Sequence, residues 1–278
     1  MAGLTGSPAP GGAFRRWRIA ALGAALAVVA AWGAHQEIRR HRRAEWKETL
    51  DVAVVLLPGD AAVDAARWAR GLEDLAERLR EERERYLGPG APPFRFALVG
   101  PVEWQGRFPD LAASGGPLAR LLHGVEMLRA ARDADRAAGL DRRAFDVRVY
   151  VLADGDGPAG ATAFAEGEGA FRGEVALVHT SPGGDLGPAL LAVGHEILHT
   201  AGATDKYDGA GHALAPHGLA EPERRPPYPQ RFAEWMVGEV PTGPGRGRLP
   251  SSLGEVRVGP ATAREIGWSG HAPAPEIR

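Results

Sequence analysis

Residues 193–208 constrain this chain more than any other stretch: Val-Gly-His-Glu-Ile-Leu-His-Thr-Ala-Gly-Ala-Thr-Asp-Lys-Tyr-Asp. His195 and His199 stand four residues apart, so on a helix both imidazoles leave the same face and can share one tetrahedral metal ion. Glu196 sits beside them, where a carboxylate can take a proton from water at the metal's open position. Leu190, Leu191, Val193, Ile197 and Leu198 supply the apolar surface that such a helix must bury on its other side. Gly202 tolerates the left-handed conformation that ends helices, which lets the backbone turn and bring Asp205 back to the metal as a third protein ligand.

The competing reading is a surface helix whose histidines and glutamate are solvated. The short motif arises by accident in roughly two of every hundred such chains, but requiring the glycine and aspartate at their spacings lowers that to about one or two in ten thousand. The spacing therefore favours the metal reading. Other third ligands remain open, since His212, His217, Glu221, Glu223 and Glu234 all follow the motif. Asp205 is preferred because the turn at Gly202 gives it a defined route. Lys206 is one of only two lysines and is read as a surface charge.

The arrangement His195, Glu196, His199, Gly202 and Asp205 resembles the extended motif of the metzincin clan of zinc peptidases, with aspartate in the last place as in the snapalysin-type bacterial branch. That clan carries a methionine in a tight turn beneath the metal. Here Met236, within Glu234-Trp235-Met236-Val237-Gly238, is the only methionine after the motif. The tyrosine that some branches place two residues later is replaced by Gly238. The resemblance covers about 45 residues. It implies one Zn²⁺ held by His195, His199 and Asp205, Glu196 as general base, Gly202 and Met236 as supporting residues, and a peptide or protein substrate. Tyr207 and Tyr228 are candidates to donate a hydrogen bond to the developing oxyanion.

Cysteine is absent, which excludes disulfides and thiolate metal sites. The 33 basic and 35 acidic residues nearly balance, and no stripe of interleaved aromatic and basic residues argues for nucleic acid. Residues 19–34 are an uninterrupted apolar and small-residue run, preceded by Arg15, Arg16 and Arg18 and followed by Arg39, Arg40, Arg42 and Arg43. Sites for signal cleavage are poor, so the run is read as a single-pass membrane anchor with the catalytic part outside the cytoplasm; cleavage followed by secretion is the alternative.

The remaining chain, roughly 230 residues, is long enough for one sizeable core. Apolar runs predict strands at 50–57, 94–99, 147–152 and 175–178. Helical periodicity predicts helices over 61–87, through Leu118, Leu121, Leu122, Val125 and Leu128 to about 139, from Asp185 and Pro188 into the motif, and over 261–268. The expected organisation is a basic tail (1–18), a membrane segment (19–36), a charged connector (37–48), an upper subdomain ending with the motif helix (49–202), a small Pro- and Gly-rich lower subdomain (203–270) and a tail (271–278). The expected fold is α+β, α/β-like in its upper part. It has a mixed twisted sheet, a central metal-bearing helix and an irregular lower part. By the resemblance, residues 163–178 form the wall of the cleft, with Gly167 and Gly169 at its rim. The function so implied is a membrane-anchored zinc metallopeptidase. Its rivals are a tethered binding or assembly protein that uses zinc only for stability, and a zinc amidase acting on a non-peptide substrate.

Overall fold

Strand β1 (Leu50–Leu57) reads Leu-Asp-Val-Ala-Val-Val-Leu-Leu, and all but Asp51 are buried. A strand that is apolar on both faces belongs inside a sheet covered on both sides, as parallel sheets are. The computed structural model of this chain describes residues 16–20, 22–24, 26–28, 30, 31, 34, 46–58, 63–109, 117–153, 175–180 and 184–269. Among these, β1, β2 (Phe94–Val99), β3 (Val147–Leu152) and β4 (Val175–His179) form one sheet in the order β2-β1-β3-β4. Every pairing is parallel, with Val52 opposite both Phe96 and Val147, and Val149 opposite Ala176. Among the described residues this sheet contains no antiparallel strand of the expected mixed sheet. A strand that returns through a helix runs the same way as its predecessor, and α1 (Ala65–Leu87) and α2 (Pro117–Ala137) supply two such returns.

Side chains alternate between two apolar clusters. Val52, Val54, Leu56, Val149, Val151, Ala176 and Val178 meet α1 and the motif helix α3 (Leu186–Ala201), whereas Val55, Leu57, Tyr150 and Leu177 meet α2. The sheet with helices on both faces is thus α/β-like, within a chain that is α+β as a whole. In α2 the described residues that are buried are Gly124, Met127, Ala131, Ala134 and Asp135, whereas Leu122 is 55% exposed and Val125 and Leu128 are half-buried. The buried positions are thus not the expected Leu122, Val125 and Leu128. The choice is made by the partners across the interface, where Asp135 accepts hydrogen bonds from Tyr150 and Arg148, both at 2.5 Å.

Residues 203–269 carry little regular structure: the short strands β5 (Ala233–Glu234), β6 (Val240–Gly243), β7 (Arg246–Arg248) and β8 (Val256–Arg257), and the helix α4 (Pro260–Glu265). They nevertheless share the larger cluster, through Trp235, Met236, Val256, Ile266 and Trp268. Polar straps reinforce this. Buried Glu82 on α1 accepts from Val258 N at 2.9 Å and pairs with Arg78 and Arg85, while Arg78, Arg85 and Tyr86 donate to the carbonyls of Val256 and Val258. Trp46, expected in the charged connector, instead belongs to the fold: its indole N–H donates to Ile266 O at 2.5 Å and its rings pack on Phe94 and Trp268.

The chain divides into two compact units, Met1–Arg42 and Arg43–Arg278. In the first, the described residues are helical, with Trp17, Ile19, Leu22, Leu26 and Val28 exposed. Among the described residues, no helix is long and apolar enough to cross a membrane. Residues 21, 25, 29, 32, 33, 35 and 36 of the expected anchor, residues 163–174 of the expected cleft wall with Gly167 and Gly169, and the tail 271–278 lie outside the described residues.

Candidate metal centre

Helix α3 is built as its sequence suggests. Asp185 caps its first turn, accepting from Gly187 N at 3.0 Å, and its apolar face, including Leu190, Val193, Ile197 and Leu198, is buried. Gly202 ends it in the left-handed conformation (φ 112°, ψ 5°), with Gly202 N donating to His199 O at 3.0 Å and Ala203 N to Leu198 O at 3.1 Å. These are the two bonds of a Schellman turn, which reverses the chain directly after the helix.

That reversal brings three donor atoms together. The Nε2 atoms of His195 and His199 are 2.9 Å apart, and Asp205 Oδ1 lies 3.1 Å from the first and 3.2 Å from the second. The other ring nitrogens face carbonyl oxygens, His195 Nδ1 toward Trp235 O at 3.3 Å and His199 Nδ1 toward Ala203 O at 2.8 Å. A carbonyl only accepts, so each Nδ1 carries the proton and donates, and each neutral ring is left with an Nε2 lone pair aimed at the centre. Two lone pairs and a carboxylate oxygen facing one another at about 3 Å repel unless a cation lies between them. An ion bonded at about 2.0–2.1 Å to three tetrahedral donors would separate those donors by about 3.3 Å, close to the spacing seen here. The donor set of two imidazoles and one carboxylate suits zinc.

The same proximity shows in the acid–base balance of the metal-free site. Burial disfavours a charged His199. Hydrogen bonding to Asp205 and the nearby charge of Glu196 outweigh it, and the pKa of His199 is raised. For Asp205, partial burial acts upward, but His195 and His199, which donate to it from Nε2 once a second proton takes the place of the metal, hold its carboxyl far below the usual carboxylate range.

Glu196 is buried, and its ligating atom lies within 4.8 Å of those of His195 and His199. Two carboxylates therefore stand at the pair of imidazoles, Asp205 at 3.1 and 3.2 Å and Glu196 within 4.8 Å. Tyr207 stands next to the site, its ring centroid 6.4 Å from that of His195. Tyr228 is half-buried in the Pro-rich segment and makes no described contact with the motif.

The remaining sequence candidates are engaged elsewhere. His212 Nδ1 lies 3.3 Å from Glu239 Oε2, His217 and Glu223 are exposed, and Glu221 is paired with Arg231. Glu234 is fully buried; burial pushes its carboxyl upward, while one oxygen accepts from Met236 N at 2.6 Å and the other from Thr262 Oγ1 and Gly259 N. Met236 is itself fully buried, in the cluster that holds Val193, Ile197 and Leu198. Its turn touches the site through the backbone, by Trp235 O on His195 and by Met236 O, which accepts from Lys206 N at 3.1 Å.

Several participants escape a reading of the sequence. Backbone carbonyls such as Trp235 O and Ala203 O have no residue signature. Lys206, expected as a surface charge, is 4% exposed, with Nζ bonded to Glu265 Oε2 at 2.7 Å and Thr204 O at 2.8 Å. Its rarity was the one available signal. No family model matches the sequence, and the curated proteins contain no match to it.

Proposed function

We propose that this chain is a zinc-dependent metallopeptidase of the metzincin type, tethered to a membrane by its N-terminal segment. The observation that carries the reading is the convergence of His195 Nε2, His199 Nε2 and Asp205 Oδ1 on one point, with both imidazoles held by carbonyls in the tautomer a ligand needs. A zinc ion held there supplies Lewis acidity, polarising the scissile carbonyl and making water a nucleophile at neutral pH. Glu196 takes the proton from the attacking water and returns it to the leaving amine. Burial of Glu196 beside the imidazoles supports its role as the base. The ring of Tyr207, 6.4 Å from that of His195, supports it over Tyr228 as the donor to the oxyanion.

The side chain of Asp205 is 47% exposed, which supports a centre open to substrate over a closed structural zinc site. The exposed apolar side chains of Trp17, Ile19, Leu22, Leu26 and Val28, flanked by arginines, support the tether.

The test is Glu196→Gln in the full chain, assayed for zinc content and for cleavage of a proteome-derived peptide mixture. The amide keeps the size of the carboxylate but cannot accept a proton, so zinc should stay while turnover falls by roughly 10² to 10⁴. Retention of full activity would assign the base elsewhere, and loss of zinc would make Glu196 a ligand.

A further inference from the structure

Asp205 reaches the two imidazoles from an exposed loop, and an exposed aspartate has no intrinsic reason to hold one position. What holds it lies sixty residues downstream. Glu265, the last residue of α4, receives both neighbours of Asp205: Thr204 N donates to its Oε2 at 2.8 Å, Thr204 Oγ1 to its Oε1 at 3.0 Å, and Lys206 Nζ to Oε2 at 2.7 Å. Lys206 closes the loop on itself by donating to Thr204 O, and its backbone N–H is fixed on Met236 O. The backbone of Asp205 is thereby clamped on both sides.

The anchor is itself rigidly placed. Glu234 binds the start of α4 through Gly259 N at 3.1 Å and Thr262 Oγ1 at 2.6 Å, and the same carboxylate holds Met236 N. Trp235, between them, orients His195. One short helix therefore shares a frame with the imidazole on one side of the centre and the carboxylate on the other. Without Glu265, the buried Lys206 ammonium would keep only Thr204 as a hydrogen-bond partner, too little to hold a charge away from water. It would turn outward and take the loop with it.

We infer that Glu265 is a positioning residue for the metal centre: acting through Thr204 and Lys206, it holds the Asp205 carboxylate against His195 and His199. The inference rests on the reading of Asp205 as third ligand.

Zinc affinity of the full chain, measured by competition with a chelating dye, tests it in five variants. Glu265→Ala should weaken zinc binding by about 10 to 100-fold, as expected for groups that orient ligands. Glu265→Gln, which keeps an acceptor for Thr204, should fall between it and the parent. Glu255→Ala removes a surface carboxylate paired with Arg248 and should leave affinity unchanged. In an Asp205→Ala background, adding Glu265→Ala should change affinity by less than about twofold, because the group it positions is gone. Amide exchange of Thr204 in the metal-free protein should be slow in the parent and faster in Glu265→Ala. Loss of affinity in Asp205→Ala with parent-like Glu265→Ala would overturn the positioning role alone. An equal drop from Glu265→Ala in both backgrounds would reduce Glu265 to general stability and overturn the role as well. Equal zinc affinity of the parent and Asp205→Ala would overturn the third-ligand reading, and this inference with it.

Discussion

Gly194→Ala and Gly187→Ala add the same methyl group to the same helix, and the structure assigns them opposite signs. A Cβ at Gly194 would lie 2.5 Å from Cζ2 and Nε1 of Trp235, about 1 Å inside normal contact. Trp235 cannot give easily. It is fully buried, its indole N–H donates to Leu191 O at 3.2 Å, and its carbonyl holds His195. Overpacking of this kind costs about 1–3 kcal/mol and sometimes more, against which the better helix propensity of alanine returns up to about 1 kcal/mol. A net loss of about 2 kcal/mol is expected, which for a domain of this size lowers Tm by about 4–8 °C. At Gly187 the nearest atom is Asp185 Oδ1 at 3.5 Å, an ordinary contact. Only the propensity term acts there, so Gly187→Ala should be neutral or stabilising by up to about 1 kcal/mol. Calorimetry of the metal-free proteins reads both. Because a displaced Trp235 moves the carbonyl that orients His195, Gly194→Ala should also bind zinc less tightly, whereas Gly187→Ala should bind as the parent does. A Gly194→Ala protein at least as stable as the parent would refute the close packing of α3 on the Met236 turn.

Two further outcomes are expected. His212→Ala should retain zinc, since His212 faces Glu239, whereas Asp205→Ala should lose most of its affinity; metal analysis after dialysis distinguishes them, and the opposite result would exchange their roles. In the metal-free protein the raised pKa of His199 contributes stability that is complete below its unfolded value of about 6.5 and fades as pH rises through the folded value. The lowered pKa of Asp205 contributes stability that is complete above about 3.9 and is lost as pH falls toward its folded value. The site should thus favour the folded apo protein most between about pH 4 and pH 6.5, while zinc affinity rises as pH climbs above about 6.5 and the competing proton leaves His199. Thermal melts and zinc titrations across pH check both slopes, and a zinc affinity independent of pH would contradict the ligand assignment.

The donor set was legible because it is local. His195, His199, Gly202 and Asp205 lie within eleven residues, and helical spacing followed by one left-handed glycine is enough to bring them together. Strands β1 to β4 and helices α1 and α3 were legible for the same reason, since burial on one or both faces writes a period of its own into the chain. What the sequence left undetermined depends on contacts between distant segments. Leucine spacing in α2 could not say which face would meet Tyr150 and Arg148. Nothing near Lys206 announced that a carboxylate fifty-nine residues away would bury it, and Trp46 reads as part of a charged connector until Ile266, Phe94 and Trp268 surround it. Periodicity records that a side chain is buried, not against what. Which carbonyl orients His195, and which helix holds Asp205 in place, is decided only when residues 203–269 fold onto α1 through Glu82 and onto one another through Glu234 and Glu265, because those bonds exist between surfaces that no local pattern relates.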